Sequence, residues 1–317
     1  MSELMKIVGL RKNYGLNSGI ENVNMRVSTS TIHGFLGLNG SGKTTTMKII
    51  MGLLRRDGGS IEFQGEEYDP ENLIHRARIG FSTDIPYFPP YLTGEELLLS
   101  YGKIRSSSGR GMKFDTHRLL KLVNLDDQRN KKIGKYSRGM LSRLGIAVSL
   151  IGDPEMMILD EPTSGLDPAA AVSVRDLLGD LRREGKTILL SSHLLGEVQE
   201  MCQAVTIIHK GETMMEGSIE DISKKFSHNN NYTIQFNGMS DELVSEIEHI
   251  DGIKGIRILD KSSNVLDISA SGENDLREII AKTAVKNGVL MISFVKDKQS
   301  LEDLFLKLVS DYNGHKN

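Results

Sequence analysis

The sequence is poor in the features that would place it in several other classes of protein. Its 317 residues include one cysteine, Cys202, so no disulfide can close within the chain and a reducing compartment is expected. No stretch approaches the ~18 consecutive apolar residues that cross a bilayer, so any role at a membrane is expected to run through a partner. The start, MSELMKIVGLRKNYG, lacks the apolar core and cleavage segment of a secretory signal, which points to the cytoplasm. Charge of one sign is missing too. The 39 Lys and Arg against 42 Asp and Glu leave a net charge of −3, which argues against a dedicated nucleic-acid coat. Neither an H-E-x-x-H metal spacing nor sustained heptads occur.

What is present divides into three stretches. Up to about residue 85, short β-like pieces (KIVGL, IENVNMRV, TIHGFLG, GSIEFQG) surround one helix, with Met47, Ile50, Met51 and Leu54 on a single face. Residues 86–150 read as helical. Beyond them EMMILD, KTILLSS and AVTIIHKGETMMEG alternate with helical segments, the pattern of a buried parallel sheet. Asp167, Pro168 and Gly185 mark the start and exit of one of those helices. The expected boundaries are a first domain over 1–223, a polar linker over 224–231 and a second domain over 232–317. The second domain has the order βαββαβ, followed by a helix from Ser300.

GLNGSGKTTT, after an apolar strand and before a helix, matches the spacing G-x-x-x-x-G-K-[ST]. Gly37, Leu38, Asn39, Gly40, Ser41 and Gly42 are expected to curl backbone N–H groups around phosphate. Lys43 would neutralise the β- and γ-phosphates, Thr44 would bind Mg²⁺ through its hydroxyl, and Thr45 lies in the positive first turn of the helix. The expected ligand is a nucleoside triphosphate.

MMILDEPTSGLDP places Asp160 and Glu161 at the carboxyl end of a buried strand, the edge where open α/β sheets bind ligands. Asp160 is placed to hold Mg²⁺, and Glu161 to orient the attacking water. TILLSSH brings His193 to the end of another strand, where it could donate to the γ-phosphate or to that water.

With the phosphate loop, YSRGM, ILDEPTSGLD and LLSSH in this order, residues 3–222 resemble the ATP-binding subunit of ABC transporters. The resemblance implies a P-loop α/β cassette with a mixed sheet core, an antiparallel β subdomain and a helical subdomain at about 86–150. The C-terminal part is then an α+β, ferredoxin-like addition. It further implies that Tyr14 stacks on adenine, that Glu161 is the catalytic glutamate and that His193 is the switch histidine. Ser137 and Gly139 of YSRGM would bind the γ-phosphate held by a second copy, so two chains clasp two ATPs. Arg138 and Met140 depart from the family's Gly and Gln. Asp84 stands where the family has a Gln or Glu linking Mg²⁺ to the membrane subunit, with a bridging water as its expected route to the metal.

YLTGEELL and SLEDLFLKL add a likeness to antibiotic-resistance exporters of the ABC-2 type. The implied partners are a separate integral-membrane permease and a second copy, at the inner face of the membrane, with no nucleic acid. The alternative is a soluble ABC ATPase acting on ribosomes or DNA, against which stand the single phosphate loop and the absence of a coiled-coil or zinc insertion. For the C-terminal domain, a regulatory module and a dimer-stabilising interface remain open.

Overall fold

A computed structural model describes residues 2–15, 18–84, 86–106, 115–226, 229–260, 262–271 and 276–297. They separate into two compact units, Met1–Ile219 and Glu220–Asn317.

The first unit opens with two antiparallel strands, β1 (Glu3–Gly15) and β2 (Ser18–Ser28), then β3 (Ile32–Leu36) and helix α1 (Lys43–Ile50). β4 (Gly58–Phe63), β5 (Glu66–Glu67), α2 (Leu73–Arg76) and β6 (Ile79–Ser82) follow. Three helices come next, α3 (Gly94–Ser106), α4 (Thr116–Leu122) and α5 (Arg138–Ser149). The unit then alternates β7 (Met156–Leu159), α6 (Pro168–Arg183), β8 (Thr187–Ser192), α7 (Leu195–Met201), β9 (Ala204–His209) and β10 (Glu212–Ser218).

Ten strands form one sheet in the order β5-β4-β1-β2-β10-β9-β3-β8-β7-β6. β9, β3, β8, β7 and β6 run parallel, and the strands toward the β5 edge add antiparallel pairs. Every residue of β3, β7 and β8 is buried, as a strand covered on both faces demands. Removing a Phe35 or Ile158 side chain from water contributes about 1.5–3 kcal/mol each. Strand pairing between the antiparallel and parallel parts is narrow, although Ile20, Val23 and Met25 of β2 share one buried core with Phe35, Met47 and Ile208. Glu212 opposite Asn22 is the one register pair of β10 with β2 among the described residues. It is reinforced where Glu21 and Asn22 donate to the Gly211 carbonyl and where Thr213 exchanges hydrogen bonds with the Asn24 backbone.

Two sequence expectations need correction here. Helix α1 closes at Ile50 instead of running on to Leu54, yet Met51 and Leu54 still pack against the core. AVTIIHKGETMMEG is a hairpin of two strands turned at Lys210 and Gly211, both with positive φ. Helix α6 starts as expected, with the Asp167 carboxylate accepting from the Ala170 N–H at 2.9 Å.

The second unit begins within α8 (Ile219–Phe226) and continues β11 (Asn229–Phe236), α9 (Asp241–Glu248), β12 (Ile253–Asp260), β13 (Val265–Ser271), α10 (Arg277–Lys286) and β14 (Met291–Asp297). Its sheet is wholly antiparallel in the order β12-β13-β11-β14, the ferredoxin-like arrangement. Tyr232, Ile234, Phe236, Leu266 and Ile268 meet Leu243, Ile247, Ile280 and Ala284 of the helices in a separate core. The polar linker expected over 224–231 is structured at both ends, closing α8 at Phe226 and opening β11 at Asn229. Asn229, Asn230 and Asn231 are held there by pairing with β13, which overrides their turn preference. The helix expected from Ser300 lies outside the described residues.

Candidate active site

Because β3, β7, β8 and β6 are parallel, their carboxyl ends open onto one edge of the sheet. This topology carries the residues after Leu36, Leu159, Ser192 and Ser82 into one cleft of about 390 Å³.

The loop after β3 is shaped by close approach. A Cβ on Gly37 would stand 2.5 Å from both the Ile208 carbonyl oxygen and Ser41 Oγ. Gly42 has φ 110° and would set a Cβ 2.5 Å from Ile20 Cγ2. Gly42 is also the N-cap of α1 and brings no capping side chain, so the first-turn N–H groups are left to face the cleft. Lys43 is buried and donates to the Gly37 carbonyl at 2.7 Å and the Leu38 carbonyl at 3.4 Å. Its Nζ lies 3.4 Å from Glu161 Oε1.

Leu159 pairs with Leu190 across β7 and β8, which brings the next residue, Asp160, beside Ser191. Asp160 Oδ2 accepts from the Thr44 hydroxyl at 3.0 Å, and Oδ1 accepts from the Ser191 hydroxyl at 2.5 Å. Ser191 Oγ in turn accepts from the Glu161 N–H at 2.9 Å. Glu161 adopts a left-handed backbone, φ 49°, a conformation that costs a non-glycine residue energy and is held by its surroundings. Its Oε2 lies 2.5 Å from His193 Nδ1.

Tyr14, Asn39, Gly40, Ser41, Gly42, Thr44, Thr45, Asp84 and His193 line the cleft together with Lys43, Asp160 and Glu161. Tyr14 is half exposed at the end of β1. Gly37 and Leu38 serve through their carbonyls and are not part of the lining. Asp84 has the Arg138 guanidinium as its ion-pair partner, at 3.9 Å. Burial raises the Asp84 carboxyl above its ordinary range, helped by Glu161 and Asp160 and opposed chiefly by Arg138. Ser137 and Gly139 stand apart from this cleft. Ser137 Oγ caps α5 by accepting from the Met140 N–H at 3.3 Å, and Gly139 is buried against Ala170.

Sequence reasoning passed over Ser191, Ser18 and Gly19. The signal for Ser191 was its place beside Ser192 at the carboxyl end of a buried strand, two residues before His193.

The residues fit a nucleoside triphosphate with Mg²⁺. Ser41 Oγ is buried without a hydrogen-bond partner among the described residues, a polar atom suited to a phosphate. The Thr44 hydroxyl and the Asp160 carboxylate form a hard oxygen donor set. Mg²⁺ needs only one or two such protein ligands when phosphate oxygens supply others.

Residues 20–164 match the ABC transporter family. The bacitracin transport ATP-binding protein BcrA of Bacillus licheniformis is 33% identical over 318 residues, covering 98% of each chain. The lantibiotic transport ATP-binding protein SrtF of Streptococcus pyogenes is 36% identical over 215 residues, which is 67% of this chain and 90% of its own. Among solved structures, an ATP-binding subunit of an ABC transporter superposes with a TM-score of 0.61 at 28% identity, over 71% of this chain and 93% of its own.

Proposed function

The chain belongs to the ABC transporter ATP-binding proteins, and on that premise we propose that it energises the export of a peptide antibiotic or drug through a separate membrane-spanning permease. The family hydrolyses ATP. The observation that carries the catalytic reading is the convergence of Lys43 and His193 on the two oxygens of Glu161. The imidazole on Oε2 limits rotation of the carboxylate, so the oxygen that Lys43 gives up on turning to phosphate can face one water molecule beside the γ-phosphate.

In this reading the N–H groups of 40–45 bind the phosphates, Lys43 turns its charge to them, and Glu161 orients and accepts a proton from the attacking water. His193 fixes the Glu161 carboxylate and donates toward the transferred phosphoryl group. Thr44 and Asp160 would hold Mg²⁺, which when bound offsets charge on the phosphate oxygens. Asp84 lines the same cleft, and in this reading it reaches that ion through water. Tyr14 offers a ring face to adenine.

Ser137 and Gly139 act on a second copy of the chain, so that two copies close around two nucleotides. Differential affinity for ATP in the closed pair drives the cycle. The permease docks on the exposed side chains of Tyr87, Tyr91, Tyr101 and Ile104, which follow Asp84 within the next 20 residues. No helix among the described residues is long and apolar enough to cross a membrane, and the chain is placed at the inner face by its permease. The division into an ATPase cassette over 1–223 and an accessory domain over 232–317 is part of the same proposal. The export reading draws on the transport roles of BcrA and SrtF, which do not favour action on ribosomes or DNA.

The test is affinity purification of the tagged full-length chain from its native membranes. Recovery of a polytopic membrane protein whose presence stimulates ATP turnover supports the proposal. Recovery of ribosomes or DNA, with no membrane protein, overturns it.

A further inference from the structure

Three carboxylates, Asp84, Asp160 and Glu161, line a cleft that must accept a polyanion. Two of them are neutralised or satisfied within the site: Asp160 by the Thr44 and Ser191 hydroxyls, and Glu161 by Lys43 and His193. Asp84 is served differently. Its Oδ1 atom is buried and has no hydrogen-bond partner among the described residues, and its cation is Arg138 Nη2 at 3.9 Å.

The start of a helix does not favour the charge of Arg138. Arg138 is the first residue of α5, where the positive end of the helix dipole opposes a cation. Its guanidinium lies over Gly165, where an added Cβ would stand 2.2 Å from Nη1, so any side chain there would displace it. The glycine leaves room for the arginine to reach Asp84. Asp84 and Arg138 are also two positions at which the sequence departs from the pattern it resembles, and they meet in the structure.

We propose that Arg138 is a positioning residue of the nucleotide site, neutralising and aiming Asp84 of its own chain so that the cleft admits a triphosphate. This rests on the reading of the cleft as an ATP site. Without the guanidinium, Asp84 presents an uncompensated negative charge to the incoming phosphates and is free to swing toward them. Arg138 lies outside the cleft lining and acts through Asp84.

The test is calorimetric ATP binding to full-length Arg138→Gln, Asp84→Asn, the double variant and Arg138→Lys. It is run in EDTA, so that any part of Asp84 in holding Mg²⁺ stays out of the measurement. Arg138→Gln is expected to weaken ATP binding about three- to fivefold, the scale of a partly exposed ion pair. Asp84→Asn in the same chain restores affinity to within about twofold of the parent, and Arg138→Lys retains most of it. In steady-state turnover with Mg²⁺, the Arg138→Gln defect falls on KM more than on kcat. Unchanged binding in Arg138→Gln overturns the proposal, as does a defect that persists in the double variant, which would assign Arg138 to another group. An unmodified chain that binds no ATP removes the underlying site reading as well.

Discussion

Oε2 of Glu161 and Nδ1 of His193 are 2.5 Å apart, while Oε1 of the same carboxylate faces Lys43 at 3.4 Å. In the proposed mechanism, the side chain that senses phosphate and the one that contacts the proton acceptor are thus joined through Glu161. When Lys43 engages phosphate, Glu161 loses a cation on one oxygen and keeps its imidazole on the other. Binding and proton transfer would then share a single carboxylate.

Glu161→Gln removes the proton acceptor and keeps the shape. Single-turnover phosphate release should fall at least about 100-fold, the usual weight of a general base, while ATP affinity changes by no more than a few fold. A variant that still turns over at a tenth of the parent rate would show that Glu161 is not the base.

Ser191→Ala tests a residue that lies outside the cleft lining. Its hydroxyl donates to Asp160 and accepts from the Glu161 N–H, so alanine leaves two buried polar groups unserved. A loss of about 1–3 kcal/mol in unfolding free energy is expected, together with a lower kcat as Asp160 and Glu161 lose alignment. Denaturant titration and steady-state turnover report the two effects separately.

Ser137→Ala removes the α5 cap, at about 1 kcal/mol, and in the proposed pairing also removes a phosphate contact across copies. Placed in a Glu161→Gln background, it should abolish the ATP-dependent shift to dimer in light scattering. Retention of that dimer would confine Ser137 to capping.

His33 lies in β3, fully enclosed and 2.8 Å from Thr206 Oγ1. Burial lowers its pKa from 6.5 to about 4. The folded state therefore holds the neutral ring where the unfolded chain would bind a proton. Stability from this group is complete above pH 6.5 and is lost as pH falls from there toward 4, by about 3 kcal/mol in all. Melting curves of the parent and His33→Gln should diverge in that window, with the variant showing the shallower dependence on pH.

Much of the site was legible because its chemistry is local in the chain. The phosphate loop, Asp160 with Glu161, and His193 each sit in a short run whose strand ending predicts the sheet edge. Ser191 was not, since its role exists only once β7 and β8 pair in register and bring Asp160 alongside. The same holds for Arg138 and Asp84, separated along the chain by helices α3 and α4. At the level of the fold, β6 carries only four residues, too few for a periodic signal. The asparagines of β11 read as linker because their pairing with β13 is likewise invisible in a local window.

The narrow join between β2 and β10 has a mechanical consequence. Tyr14 rides on the antiparallel ribbon, whereas Lys43 and Thr44 belong to the parallel core, with the Gly211 carbonyl and the Thr213–Asn24 exchange among the few bonds stitching one to the other. A nucleotide held as proposed, its ring on Tyr14 and its phosphates at Lys43 and Thr44, would work as a rivet across that seam. Loading the cleft would then add a clamp to the hydrogen bonds of that seam, and spending the ligand would remove it.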